Sequence, residues 1–375
     1  MMRRAKGTLL AAVLIGFFIL TSVSPARDVV EFEVEEGQKT QLVGQITREG
    51  WRAVRIEFQR NGETKTAEIP REKIVKIRHG NKPQTYNRAM RQYDNRDYGE
   101  AYRTFRKIAQ DPPSGEEQSW VKPYALFHAG RSAFRRALTA KTGAEKRKKY
   151  YSQAAEQFSK LRGQFSEHRF APRASLKLAR ARVESGQLSG VSALLEEIAN
   201  SEYPERVKQS ARVVKGRLLM ARDNLQKAVD ILEEVRKSAG QKRPSVQHRA
   251  MMAQADAHGA LDQPGQAESL WWKVAVRAES DRLRAKACVK RGLSLKKRGR
   301  LREALYSFLR VVVLHTDQVD AHKKALYHSA LAAREYYEGS KRAEELASDL
   351  YTRYPQSALA KRLRKEMKAG GRSGS

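Results

Sequence analysis

Residues 284–314 read RAKACVKRGLSLKKRGRLREALYSFLRVVVL. Gly292 and Ala304 stand twelve positions apart in two segments of helical periodicity, Gly299 marks the turn between them, Leu301 opens the second segment and Phe308 follows Ala304 by one helical turn. Two antiparallel helices cross closely only where both lack bulk, so paired small residues at this spacing predict a helical hairpin. Outward from this stretch the spacing recurs at Ala89/Ala101, Ala181/Ala193, Gly216/Ala228, Ala255/Ala267 and, one residue short, Ala332/Ala343. A hairpin repeated this often predicts a stack of helices in which each unit packs only on its neighbours.

The order of these residues resembles the tetratricopeptide repeat (TPR) family, whose unit is a helix-turn-helix of about 34 residues. The first unit holds Ala89, Tyr98, Ala101, Phe105 and a closing Pro113; the last holds Ala343, Tyr354 and Pro355. Around Gly216 the same slots hold Leu225, Ala228 and Leu232, and around Ala255 they hold Ala267 and Trp271. Two units depart from the pattern. One has Gly130, Ala154 and Phe158 but an insertion from Thr139 to Lys149; another has Leu194 and Leu195 where an aromatic is usual. The fold class this implies is mostly α, a TPR-like α-solenoid of about seven hairpins over residues 81–355. A capping helix over 356–369, from Ser357 to Met367 at its core, covers the last seam, and a disordered tail occupies 370–375.

A solenoid needs no single central core, and 40% hydrophobic residues suffice to line a continuous seam between stacked helices. Glycine and proline fall mainly in turns such as Asp111-Pro112-Pro113-Ser114-Gly115 and Asp262-Gln263-Pro264-Gly265. Cys288 is the only cysteine, which excludes an intramolecular disulfide; its place in a first helix predicts a small buried hydrophobe.

The first 26 residues have the three-part layout of a secretory signal: Arg3, Arg4 and Lys6, then an uncharged apolar stretch from Gly7 to Val23, then Ser24-Pro25-Ala26. The expectation is an exported, periplasmic chain, with the segment either cleaved after Ala26 or retained as an inner-membrane anchor. Residues 27–80 alternate with a period of two in Val30-Phe32-Val34, Leu42-Gly44-Ile46, Val54-Ile56-Phe58, Ala67-Ile69 and Ile74 to Ile77. Turn signals at Glu36-Gly37, Glu49-Gly50 and Asn61-Gly62 separate the runs. Five short strands predict a small all-β module, similar in outline to SH3-like or Sm-like barrels, that docks on the first repeat.

Net charge is +32, of which residues 1–26 carry +3 and residues 27–80 only +1, so +28 sits on the helical repeats. A field of that size attracts polyanions and anionic surfaces. The resemblance implies that the first helix of each hairpin lines a concave face and that the residue after the small crossing position points into it. Arg131, Arg182 and Arg217 hold that position in three consecutive units, and Arg249, Lys286, Lys290 and Lys297 are neighbouring anion-binding candidates. Guanidinium groups on successive repeats form a ladder suited to carboxylate or phosphate. The family's clamp for C-terminal carboxylates also needs asparagines at set positions, which have no match here. Tyr86, Tyr93, Tyr124, Phe127 and Phe134 are candidates for an aromatic patch in the same groove, against the ordinary alternative that they are core. Of Trp271-Trp272, the first occupies the packing slot and the second is expected to be exposed or to plug a neighbouring repeat.

Catalytic patterns are missing from the sequence: there is no His-Glu-x-x-His, no Cys/His metal spacing, no Gly-x-Ser-x-Gly and no phosphate-binding glycine loop. The reading is a non-enzyme without cofactor or metal. The leading expectation is a scaffold of the cell envelope that binds partner proteins or peptides, acidic ones by charge, in the concave face. The alternatives are an anionic polymer or membrane surface bound through the basic helices, and nucleic acid if the chain is not exported.

Overall fold

A computed structural model describes residues 27–35, 37–114, 118–140, 143–337 and 341–370. The expected signal segment, Glu36, Gly115 and the tail from 371 lie outside the described residues. The chain divides into two compact units, one made of residues up to Arg48 together with Ala53–Lys82, the other of Glu49–Arg52 with everything from Pro83 onward.

The first unit is a five-stranded antiparallel sheet: β1 (Asp28–Glu35), β2 (Gln38–Glu49), β3 (Ala53–Arg60), β4 (Glu63–Pro70) and β5 (Ile74–Arg78), in the order β4-β3-β2-β1-β5. The alternation seen in the sequence puts Val30, Val54, Ile56, Ile69 and Ile74 into one buried cluster. Asn61 and Gly62 take φ of 56° and 83°, the left-handed pair a two-residue hairpin turn requires, and they pair Arg60 with Glu63. At Gly44 a Cβ would lie 1.9 Å from the carbonyl oxygen of Glu57, so only glycine lets β2 approach β3. The edge strands β4 and β5 are joined by a single 3-10 turn, Arg71–Lys73, so the sheet curls to bring its edges together there. Asp28 ties the start of β1 to the end of β5 by accepting from the Gly80 amide at 2.9 Å and, on β2, from Ile46 at 3.0 Å. Burial works to raise its pKa, but the hydrogen bonds from His79 and these amides outweigh it and hold the carboxyl below its usual value.

The second unit contains fifteen α-helices among the described residues. Seven hairpins are α1 (Gln84–Asp94) with α2 (Tyr98–Gln110), α3 (Val121–Thr139) with α4 (Ala144–Gln164), α5 (Ala171–Ser185) with α6 (Val191–Asn200), α7 (Glu205–Ala221) with α8 (Leu225–Ala239), α9 (Pro244–Ala260) with α10 (Pro264–Arg277), α11 (Asp281–Lys297) with α12 (Leu301–Leu314) and α13 (Val319–Tyr336) with α14 (Lys341–Arg353); α15 (Ala358–Gly370) follows. No described helix is long and apolar enough to cross a membrane.

Four hairpins share one turn. Three residues connect the helices, and the middle one is left-handed: Arg96 (φ 65°), Asp223 (61°), Asp262 (55°) and Gly299 (73°). The next amide then reaches back to close the first helix, Asp97 to Gln92 at 2.9 Å and Arg300 to Leu295 at 3.0 Å. This places the fourth residue of each second helix opposite the small residue of the first, and Ala101, Ala228, Ala267 and Ala304 at that position are fully buried. The crossings at Gly216 and Gly292 leave no room for a methyl group, since a Cβ there would come within 2.6 Å of Leu232 and 2.5 Å of Phe308. Gly130 meets Phe158 in the same way.

Two expectations change. In the third hairpin the turn is Gly186–Gly190, two residues longer, so the fourth residue of α6 is Leu194; Leu194 is buried there and Ala193 is exposed, not a crossing residue. The expected insertion from Thr139 to Lys149 is largely helix, absorbed by extending α3 to 19 and α4 to 21 residues. At the C-terminal end Ser357 caps α15 by accepting from the Ala360 amide at 3.0 Å, and Ala360 and Leu363 are fully buried in the last seam.

Candidate functional site

The first helices of the middle hairpins bring cations together from residues far apart in sequence. On α5, Arg173, Lys177, Arg180 and Glu184 fall at i, i+4, i+7 and i+11, one face of the helix. Arg217 on α7 reaches Glu184 at 3.4 Å, and Arg180 lies 3.8 Å from the same oxygen. Lys290 on α11 pairs with Asp256 on α9 at 2.7 Å, and the Trp271 indole also donates to that carboxylate at 3.3 Å. The remaining cations of this face have no direct ion pair, although Asp256 acts on Lys286 from longer range. Lys177, Arg249 and Lys286 have no carboxylate within ion-pairing distance among the described residues.

Their protonation records how closely they are gathered. Burial, followed by the charges of Arg180, Arg131, Arg135 and Arg249, lowers Lys177 to about 7. Burial, then Lys290 and Arg217, lowers Lys286 to about 8. Arg180 is lowered to about 10 by burial and then by Arg217. The Arg180 side chain nevertheless keeps 40% of its surface open to water. The charges that act on these groups come from α3, α5, α7, α9 and α11, so the first helices turn their cations toward one water-accessible side of the stack, the groove.

The candidate residues distribute unevenly. Arg217, Arg249, Lys286 and Lys290 belong to this cluster. Arg131 adds its charge from α3, while its guanidinium sits 4.8 Å over the Tyr93 ring and 3.4 Å from His128 Nδ1. Arg182 is half-buried with its guanidinium beside Gly190, in the turn to α6. Lys297 is exposed at the end of α11. Of the aromatic candidates, Tyr86, Phe127 and Phe134 are buried: Tyr86 packs edge-on against Phe105 and Trp120, Phe127 stacks on Phe170 at 4.1 Å, and Phe134 meets Tyr151 at 5.0 Å. These three rings fill the seam between hairpins instead of facing solvent, because that is where their apolar surface is removed from water. Tyr93 is half-buried beneath Arg131. Tyr124 donates to Glu49 Oε1 at 2.7 Å and accepts from Arg169 at 3.1 Å.

Arg173, Lys177 and Arg180 were not singled out by the one-residue-after-the-crossing rule. The i, i+4, i+7 spacing along α5 was the available signal. Cys288 is 1% exposed, and burial pushes its thiol up to about 11. Trp271 is buried; Trp272 is partly buried, with Arg291 at 4.8 Å and Arg310 at 5.6 Å over its ring. Among the described residues no group of three or more His, Cys, Asp or Glu side chains is arranged to hold a metal ion.

A stack of seven such hairpins defines a helical repeat solenoid. The tetratricopeptide repeat-like domain family matches residues 129–261. Among solved structures the chain is similar to YrrB, a TPR protein with an unusual peptide-binding site (20% identity, 56% of this chain and 99% of that one, TM-score 0.36). PilF of Pseudomonas aeruginosa is 16% identical over 65% of this chain and 97% of its own, with a TM-score of 0.38. The C-terminal part of a TPR repeat-containing protein from Cytophaga hutchinsonii is 14% identical over 74% and 98%, with a TM-score of 0.39. No curated protein sequence matches the chain.

Proposed function

We propose that this protein is a non-enzymatic scaffold of the cell envelope that holds an acidic segment of a partner protein in the groove formed by α3, α5, α7, α9 and α11. The repeat fold supports a protein or peptide ligand in general. The observation that carries the acidic partner is a set of cations with no carboxylate at ion-pairing distance among the described residues, the half-buried Lys177 and the exposed Arg249 and Lys286, on the face that holds the Arg217–Glu184 pair. Neighbouring cations, Arg180 and Arg131 for Lys177 and Lys290 and Arg217 for Lys286, make these two lysines costly to keep charged, and a carboxylate placed beside them relieves that repulsion. Export rests on the signal-like residues 1–26 of the sequence.

The test is fluorescence anisotropy with an Asp/Glu-rich peptide of about twelve residues. Reversing two charges, Lys177→Glu with Arg249→Glu, is expected to weaken binding at least tenfold; unchanged affinity would remove the groove from the function. A second reading, an anionic polymer or membrane surface, is favoured by the size of the +28 field, most of whose cations lie on the repeats away from the groove cluster. It predicts that binding to anionic vesicles survives the double reversal and collapses between low and physiological salt.

A further inference from the structure

The α11 face that carries Lys286 and Lys290 continues to Leu293 and Lys297, at i, i+4, i+7 and i+11. Leu293 is 39% exposed. It opens into a cavity of about 590 Å³ lined by Tyr327, His328, Leu331, Arg334 and Glu335 of α13, by Arg362 and Glu366 of α15, and by Lys296. The floor is apolar and aromatic: Tyr327 is buried, His328 stacks on Phe308 with ring centres 5.5 Å apart, and Tyr327 meets His328 edge-on at 4.9 Å. Burial, then Lys296, Lys324 and Arg362, lowers His328 to about 4, so the imidazole is neutral at physiological pH.

The rim is polar but already engaged. Tyr327 donates to Glu366 at 2.7 Å, Arg362 donates to the same carboxylate at 2.7 Å, Lys296 lies 3.7 Å from Glu335 and Arg334 donates to the Glu366 carbonyl at 2.8 Å. A polar ligand would have to displace these pairs. An apolar group would displace only water from Leu293, Leu331 and the ring faces.

We propose that this cavity between α11, α13 and α15 receives one aromatic side chain of the same acidic segment that lies along the cationic groove. The inference rests on the groove reading above and adds an anchor to it. Leu293 follows Lys290 by three residues, about 4.5 Å along the helix axis, so groove and cavity are continuous. Around the mouth the three cations Lys296, Arg334 and Arg362 outnumber the carboxylates Glu335 and Glu366, so the approach keeps a net positive charge toward an acidic segment. From α5 to α11 is three steps of roughly 10 Å each, which an extended chain spans in about nine residues. A twelve-residue ligand therefore reaches both.

The experiment compares three acidic twelve-residue peptides on the full chain by anisotropy: one with phenylalanine at the first position, one with it at the last, and one with serine at both. Enclosing the ring is expected to make one phenylalanine peptide bind about tenfold or more tighter than the serine peptide. Leu293→Gln, which removes apolar surface at the cavity mouth from an exposed helical position without adding charge, is expected to weaken that preference at least about threefold while leaving the serine peptide's affinity within about twofold. Equal binding of all three peptides by the unaltered protein overturns the anchor and leaves the groove reading standing. A preference undiminished by Leu293→Gln places the ring elsewhere and also overturns it. Failure of every peptide to bind removes the groove reading and the anchor with it.

Discussion

Gly292 shows how much of this fold depends on one missing methyl group. Its helix would gain from alanine, because glycine in a helix interior costs about 1 kcal/mol relative to alanine. Against this, a Cβ would stand 2.5–2.8 Å from three atoms of the Phe308 ring, which is fully buried and has nowhere to turn. Overpacking of this kind costs about 1–3 kcal/mol, so the collision wins and Gly292→Ala should lower thermal stability. Gly265→Ala is the matched control: nothing lies within 4 Å of its Cβ position near the start of α10, and it should be neutral or slightly stabilising. Equal melting temperatures for the two variants would sink the steric account. The Gly292/Ala304 crossing was legible in sequence because the spacing that produces it is local. Arg182 beside Gly190 illustrates the opposite case, since its position depends on the longer turn after α5.

At the scale of elements, helix periodicity and turn chemistry carried most of the reading, and changes of turn length marked its limit. Three-residue turns with one left-handed position preserve a spacing of twelve, so the hairpins of Ala89, Gly216, Ala255 and Gly292 follow the pattern. Between α5 and α6 two extra residues move the buried position from Ala193 to Leu194, and no count along the sequence reveals that before the turn is seen. The same holds for the α5 stripe: Arg173, Lys177 and Arg180 were visible as a helical face, but which face met the groove was not. The last helix offers a test of how a solenoid ends. Ser357 supplies the cap and Leu363 the buried contact of α15. Ser357→Ala should cost about 1 kcal/mol, and Leu363→Ala about 2–5 kcal/mol if the seam cannot close over the void. In a structure where each hairpin supports only its neighbours, the loss should appear first as faster amide exchange in α13–α15, with α1–α4 unaffected. Uniformly faster exchange along the chain would show instead that the repeats unfold as one unit.

For the whole molecule the decisive quantity is the concentration of positive charge. The sequence revealed its total and its restriction to the repeats, whereas the gathering of α3, α5, α7, α9 and α11 around one groove, and the cavity shared by α11, α13 and α15, arise only when distant residues are stacked. This gathering gives stability and binding opposite responses to pH. In the unfolded chain Lys177 and Lys286 have the ordinary lysine value of 10.5; in the folded protein burial and the neighbouring cations lower them to about 7 and about 8. Between those values and 10.5 the unfolded state holds more protons, so folding stability attributable to these lysines rises as pH rises through that window. A bound carboxylate acts in the other direction. It raises both pKa values, the complex takes up protons, and affinity falls as pH increases from about 7 to about 9. The peptide's carboxylates stay ionised throughout that range, so with a blocked N-terminus the slope belongs to the protein. Melting temperature and peptide affinity measured on the same samples should therefore change in opposite senses, and Lys177→Met with Lys286→Met should flatten both curves. Parallel slopes, or slopes untouched by the double substitution, would mean that the groove lysines are neither the site of the repulsion nor the place where the acidic ligand relieves it.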